Sequence, residues 1–275
     1  EEIARDLKLD PVPVRRRNFY VPGIRDVTHH GMKVEDFVAK ELFDELEQSA
    51  AYAARRNAIR EWNTANPVIK RGIAMTPVKL GISFSTPFFN QASAMVHIYT
   101  DGSVLLNHGG TEMGQGLFTK VAQVVAEELG IDVDRVRVSA SDTSRIPNAS
   151  ATAASSGSDL NGKAAQAAAR KLKARLTTFA AERFQVPSDA VRFEANRVHA
   201  GATAVSFGEL AQLAYMARVQ LWASGFYKTP KLDYDVGTRT GRRFSYFSYG
   251  AAVSEVAVDT LTGENRVLRT DILHD

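Results

Sequence analysis

Asn107-His108-Gly109-Gly110-Thr111-Glu112-Met113-Gly114-Gln115-Gly116-Leu117 is the stretch on which the reading of this chain turns. Gly109, Gly110, Gly114 and Gly116 fall within eight residues. The chain reads as strand before them and helix after. Glycine permits left-handed backbone and lets a ligand approach the main chain closely. A helix start offers free N–H groups and the positive end of its dipole. Strand, glycine loop and helix N-terminus together make an anion cradle. The common nucleotide signatures do not fit, since there is no Gly-x-Gly-x-x-Gly and no Gly-Lys-Ser/Thr. On glycine content alone, a tight turn and a ligand site stand level. Glu112 is the one carboxylate in the loop. It is a candidate for chemistry or, equally, for orienting the loop through hydrogen bonds to backbone.

The flanks support the strand–loop–helix reading. Residues 93–107 read as a hairpin, with Ala94, Val96 and Ile98 alternating, Asp101-Gly102 as the turn and Val104 to Leu106 returning. Residues 117–129 carry Leu117, Val121, Val124, Val125 and Leu129 on one helical stripe, closed by Gly130. Arg135 to Ser139 alternate as a short strand. A second unusual stretch follows, Asn148-Ala-Ser-Ala-Thr-Ala-Ala-Ser-Ser-Gly-Ser-Asp159, with almost no large side chain. It too runs into a helix, carrying Leu160, Ala164, Ala168, Leu172, Leu176 and Phe179. A flexible Ala/Ser linker has the same composition, but this segment feeds directly into a helix start. Two small-residue loops, each entering a helix, suggest one anionic ligand held between two helix dipoles.

Further out, Glu1 to Leu9 reads as a helix closed by Asp10-Pro11, and residues 12–33 as irregular. Residues 34–48 read as a helix with Val34, Phe37, Val38, Leu42 and Leu46 on one face. Ser49 is a candidate cap for a second helix running through Trp62 and ending before Pro67. Residues 71–91 hold too much proline and glycine for a regular strand and read as a loop. Ser206 and Glu209 form a capping-box pair. Residues 218–228 read as a strand, 230–243 as a loop, and Ser245 to Val258 with Arg266 to Leu273 as a hairpin around Thr262-Gly263-Glu264. Strands and helices intermingle with antiparallel hairpins, so the expected class is α+β, with mixed and antiparallel sheets and packed helices. Residues 1–70 make a helical lead-in and residues 71–275 the α+β part. The chain opens inside a helix and stops inside a strand, which reads as truncation at both ends.

Composition excludes several functions. The net charge of +3, from 34 basic and 31 acidic residues, argues for no nucleic-acid partner. Hydrophobic content of 44% and charged content of 24% are those of a globular chain. With no cysteine there is no disulfide, thiolate metal site, iron–sulfur ligand or cysteine nucleophile. No apolar run suits a membrane span, and Glu1-Glu2 opens no signal peptide. His29, His30, His97, His108, His199 and His274 form no His-Glu-x-x-His set, and no metal ligand is assigned. His97 and His108 are read as facing each other across the hairpin in a structural role.

Taken together, three motifs are more specific than either loop. Gly109-Gly110-Thr111-Glu112-Met113-Gly114-Gln115-Gly116, then Thr119-Lys120-Val121-Ala122-Gln123, resembles the signature of the xanthine dehydrogenase/aldehyde oxidase family of molybdenum hydroxylases. Pro147-Asn148-x-Ser150-x-Thr152-Ala153-Ala154-Ser155, followed by Asp159, is similar to that family's second cofactor loop. Thr76-Pro77-Val78-Lys79-x-Gly81-Ile82-Ser83-Phe84, with Pro87-Phe88 and Asn90-Gln91, resembles its xanthine dehydrogenase branch.

The resemblance covers nearly the whole chain and implies the C-terminal part of a molybdopterin-binding subunit or domain. It implies molybdopterin contacts from Met113, Gly114 and Gln115 on one side and from Thr152, Ala154, Ser155 and Gly157 on the other. It implies substrate contacts from Phe84, Ser85, Ala153 and Ala154, where small residues leave room for a planar purine. The implied reaction is hydroxylation of xanthine or hypoxanthine at an electron-poor carbon using water. The family's base glutamate lies in a Gly-Glu-Pro-type motif that this chain lacks, so no catalytic residue is assigned here. FAD and iron–sulfur clusters are expected on other domains or subunits, as is the remaining half of the molybdenum domain. The complete protein is expected to be cytoplasmic and oligomeric, with no membrane partner. An aldehyde-oxidising or N-heterocycle-oxidising relative and a non-catalytic anion-binding module are the alternatives.

Overall fold

A computed structural model describes every residue from Glu1 to Asp275. The fold is α+β, and the chain divides into two units: residues 1–82 with 233–275, and residues 83–232.

The first unit begins with four helices: α1 (Glu2–Asp6), α2 (Pro11–Arg17), α3 (Ala39–Ser49) and α4 (Tyr52–Ala65). α2 corrects the expectation that residues 12–33 are irregular. Its start is set locally: Asp10 accepts from Val12 N–H at 2.9 Å, and Pro11 sits in the first turn, where its missing N–H costs nothing. α3 begins at Ala39 rather than near Val34, because residues 34–38 are irregular and the Val34 N–H donates to Asp26 O. Ser49 does not cap α4. It is the last residue of α3, and the break between the helices is made by Ala51 in the left-handed region at φ 50°.

β1 (Ile69–Ile82) is a strand of 14 residues where a loop was expected. Pro77 is compatible because β1 lies at a sheet edge, where one side of the strand needs no donors. The expected loop survives only from Ser83 to Asn90.

The second unit holds β2 (Gln91–Ile98), β3 (Val104–His108), α5 (Leu117–Leu129), β4 (Val136–Val138) and α6 (Gly162–Phe184). Next come β5 (Val191–Glu194), β6 (Arg197–Ala200), β7 (Thr203–Ser206), α7 (Phe207–Met216) and β8 (Trp222–Lys228). One sheet runs β4-β3-β2-β8; a second, small one runs β5-β6-β7. β3 and β4 are parallel and joined through α5, and the other pairs in the larger sheet are antiparallel. α5 and α6 cover one face of this sheet, with Val96, Leu106, Val121, Val125, Ala164, Ala168 and Leu172 in its core. α5 starts and stops where the sequence puts it, with Gly116 and Gly130 both left-handed. The capping box of α7 is present: the Ser206 N–H donates to Glu209 and the Glu209 N–H to Ser206 Oγ. In the β2–β3 register Ala94 faces His108 and His97 faces Leu105, so the two histidines do not face each other.

The chain then returns to the first unit with β9 (Tyr246–Asp259) and β10 (Asn265–His274), giving an antiparallel sheet in the order β1-β9-β10. α2, α3 and α4 supply Val12, Phe43, Leu46 and Tyr52 to a core over Met75, Ala251 and Val253.

Candidate cofactor loops

Both small-residue loops follow the carboxyl ends of the parallel strands β3 and β4. The first, residues 109–116, leaves β3; the second, residues 148–157, lies further along after β4. In sheets with parallel strands, ligands gather beyond the carboxyl ends, where the loops diverge.

The backbone from Gly109 to Thr111 is held by four other residues. The Gly110 N–H donates to His108 Nδ1 at 3.1 Å, and the Gly110 carbonyl accepts from the Ser141 hydroxyl at 2.9 Å. The Thr111 N–H donates to Thr152 Oγ1 at 2.8 Å, which ties the first loop to the second. Asn161, buried at the entry to α6, presses on Gly110: a Cβ there would lie 2.8 Å from Asn161 Nδ2. A Cβ on Gly109 would lie 2.2 Å from that of Ala149. Gly109 is therefore required by close approach of the two loops to each other, and Gly110 by the Leu117 and Asn161 side chains at the starts of α5 and α6. By contrast, Gly114 and Gly116 are left-handed, at φ 95° and 73°, and face open space.

Glu112 has the orienting role. Its carboxylate accepts from the N–H groups of Gly114 (3.0 Å), Gly116 (2.9 Å) and Phe118 (3.0 Å). The Phe118 bond, followed by those to the glycine amides, holds its pKa below the ordinary carboxylate value of 4.5. This corrects the picture of an anion held between two helix dipoles. The amides at the start of α5 already bind an anion, the chain's own Glu112.

A carboxylate whose pKa is lowered by folding keeps its bonds above the ordinary value and loses them as pH falls through the folded value. Loop amides at Gly114, Gly116 and Phe118 are therefore expected to stay protected from hydrogen exchange at pH 6 and to be released only in acid. Glu112→Gln, which leaves one acceptor oxygen, is expected to expose them at pH 6. Unchanged protection in that variant would assign the loop's order elsewhere.

The expected cofactor residues divide into two groups. Met113 is 64% exposed and Gly114 is also at the surface. The Gln115 side chain is folded into its own loop, with Oε1 accepting from Met113 N–H at 2.6 Å and Nε2 donating to Thr111 O at 3.0 Å. One Nε2 hydrogen remains for another acceptor. Across the joint, Thr152, Ala153 and Ser155 are half-buried and Ala154 is exposed. Gly157 is buried, its N–H donating to Ala153 O and its missing side chain admitting Leu117. Gly157–Asn161 is a single π-turn ahead of α6, so the regular helix begins at Gly162, after Leu160, the first residue of the stripe.

Phe84 and Ser85 lie on the other approach to this unit, ahead of β2. The Phe84 ring packs partly against the core of the second unit and lies 5.6 Å from the Phe89 ring. Its backbone is clasped by buried Asn90, whose Oδ1 accepts from Phe84 N–H (2.7 Å) and whose Nδ2 donates to Phe84 O (2.9 Å). Ser85 is half-buried beside it.

Sequence reasoning missed His108, Ser141, Asn161 and Asn90 as the residues that hold this geometry. A signal existed for Asn161, a lone amide four residues after Gly157 on an otherwise small-residue face. His108, directly before Gly-Gly, could have been read as a local acceptor for the amide two residues on.

The sequence pattern of the molybdopterin cofactor-binding domain matches residues 45–275. This chain belongs to the molybdopterin cofactor-binding domain family. Among curated relatives, this molybdopterin cofactor-binding domain is 43% identical over 274 residues to the xanthine dehydrogenase/oxidase of Rattus norvegicus. It is 42% identical over 274 residues to that of Gallus gallus. In both cases the match covers 100% of this chain and 19% of the relative, so the chain spans about one fifth of their length. The solved CO dehydrogenase from Oligotropha carboxidovorans superposes with a TM-score of 0.76 at 22% identity, over 99% of this chain and 35% of that one, a likeness of fold. The loops fit such a group: their surface is open backbone at Gly114 and Gly116 with small side chains opposite, and Glu112, Thr152 and His108 fix their shape beforehand.

Proposed function

We propose that this chain is the molybdopterin-binding portion of a xanthine dehydrogenase-like oxidoreductase that hydroxylates purines with water. The observation that carries this reading is the bond from Thr111 N–H to Thr152 Oγ1. It joins two small-residue loops beyond the ends of parallel strands into one surface. Identity of 42–43% along the whole chain to xanthine dehydrogenases/oxidases supports the choice of reaction.

When bound, the molybdenum cofactor supplies the redox centre at which a substrate carbon is oxidised. The chain's own residues bind and orient. Met113, Gly114 and Gln115 offer a thioether, a backbone with no side chain over it and one remaining side-chain amide hydrogen to the pterin. Thr152, Ala154 and Ser155 form the facing wall, and Gly157 shapes that wall from beneath. Phe84, fixed through its backbone by Asn90, offers a ring face to a planar purine. Ser85 offers a hydroxyl, and Ala153 and Ala154 leave room for the substrate. The proton-accepting glutamate comes from another part of the polypeptide. The FAD and iron–sulfur centres lie on other domains or subunits of an oligomeric enzyme, in the cytoplasm and in purine breakdown. No helix here is long and apolar enough to cross a membrane.

Thr152→Val in the full-length protein tests the joint, because valine keeps the shape and removes the acceptor. Molybdenum and pterin retained per chain are expected to fall, with affinity down roughly tenfold, the size typical of a residue that supports a bound group. The parent is expected to convert xanthine. A parent that retains molybdenum but oxidises only aldehydes would overturn the purine assignment, and one that retains none would overturn the reading entirely.

A further inference from the structure

The sheet β1-β9-β10 has its polarity reversed. An antiparallel sheet with one face in water ordinarily turns its polar residues to that face. Here the helix-covered face holds the charges. Arg55 of α4 binds Glu255 of β9 at 2.9 Å and Asp271 of β10 at 2.8 Å, over the same face that buries Met75 and Val253.

The opposite face is read from the register. Ala74, Ser254 and Thr270 make one row across the three strands, and Thr76, Ala252 and Ile272 make the next. The hydroxyls of Ser254 and Thr270 are 3.2 Å apart, as neighbours on one face must be. Alternate positions on this face run from Lys70 to Ile82, from Tyr246 to Val258, and from Asn265 through Val267 and past a bulge to His274. They include no Asp, Glu or Arg, and one Lys, Lys70 at the start of β1, whose Nζ donates to the Asn63 carbonyl. Yet the face is open: Val78 is 52% exposed, Leu80 47%, Val267 60% and Ile272 70%. Single exposed apolar residues are ordinary, but a face three strands wide whose one charge, Lys70, stands at its end marks an interaction surface or invites aggregation. Its centre is made of Gly, Ala, Ser and Thr, so it is flat and admits close backbone approach.

We propose that this face is a docking surface for a further segment of the same polypeptide, one that presents an uncharged, apolar helix or strand face. The inference rests on the reading above only in taking the full-length protein to be as long as its relatives, of which this chain is 19%. A segment on the same polypeptide meets the face at an effective concentration on the order of millimolar. It therefore outcompetes a free partner or a second copy. The same argument accounts for the scarcity of charges: a face covered soon after synthesis needs few solubilising residues.

The experiment labels single cysteines in the full-length protein with a maleimide and reads each site by peptide mass. This chain contains no cysteine of its own, so its labelled peptides are unambiguous. Ile272→Cys is compared with Leu261→Cys, placed at the β9–β10 turn, where Leu261 is 79% exposed. Labelling at position 272 is expected to be slower by roughly tenfold or more, and to stay slow on dilution, as for a covered site that opens only by local unfolding. Equal labelling at the two sites would overturn the proposal. So would protection lost on dilution, which would assign the face to a second copy.

Ala252→Arg, at the centre of the face, is expected to restore fast labelling at position 272. Labelling that stays slow in that variant would place the cover elsewhere. Molybdenum content of the parent is measured alongside. If it is absent while protection is present, the cofactor reading fails and the docking surface stands.

Discussion

Gly225→Ala is expected to destabilise the unit of residues 83–232 by about 3 kcal/mol or more, the upper end of what overpacking costs. Gly225 lies on β8 opposite Ala94 of β2, directly under α6. A Cβ at this position would sit 2.0 Å from the carbonyl oxygen of Ala164 and 2.5 Å from the nitrogen of Ala168. Both are helix backbone atoms, so no rotamer change relieves the clash and the helix must lift from the sheet. α6 is built for close approach, since Ala164, Ala165, Ala168 and Ala169 are all fully buried. Lifting it would also loosen Asn161, which precedes α6 and presses on Gly110. Against a typical total of 5–15 kcal/mol, such a loss removes a large share of the stability. Gly72→Ala is the matched control, because its Cβ would meet only Val256 Cγ2 at 3.6 Å, an ordinary contact. Thermal or denaturant unfolding is expected to show a large drop for position 225 and almost none for position 72. Similar drops at both would mean that glycine matters in these strands for reasons other than the approach of α6.

What was legible in the sequence was local. α5 carries its apolar stripe and both terminal glycines within one short window, and the capping box at Ser206 and Glu209 needs only four residues. The β2–β3 hairpin was equally plain from Asp101-Gly102. β1 was not legible, because its tolerance of Pro77 and its glycines depends on lying at a sheet edge, which no window reveals. α2 escapes a sequence reading because its starting signal, Asp10-Pro11, serves equally as the end of the helix before it. At the loops, composition singles out both small-residue segments and resemblance points to the cofactor. The joint between them, from Thr111 to Thr152, spans 41 residues and depends on two strands being parallel. The idea of two helix dipoles failed for a physical reason. Free amides at a helix start take any acceptor within reach, and Glu112, five residues ahead of α5, is an anion already at hand.

His108→Asn is expected to flatten the acid dependence of stability between pH 6.5 and about 4. His108 is fully buried at the end of β3, with its ring edge-on to Phe118 at 5.4 Å. Because Nδ1 accepts from the Gly110 N–H, the ring proton sits on Nε2, which has no polar partner. Burial pushes its pKa from 6.5 down to about 4. The unfolded chain takes up a proton below pH 6.5, whereas the folded chain refuses one until about pH 4. The stability due to the neutral ring is thus complete above pH 6.5 and is lost as pH falls through this window. At about 1.4 kcal/mol per pH unit, the loss amounts to about 3 kcal/mol. Asparagine can accept from Gly110 and does not titrate, so the clamp remains while the slope goes. His108→Phe removes the slope as well, but leaves the buried Gly110 N–H without an acceptor, at a cost of about 1–3 kcal/mol. Denaturant unfolding at pH 7 and pH 4.5 separates these outcomes. Cofactor retained by the full-length protein is expected to be near normal for the asparagine variant and reduced for phenylalanine. An undiminished acid slope in His108→Asn would show that another group carries it. Equal retention by the two variants would show that the loop does not depend on this acceptor.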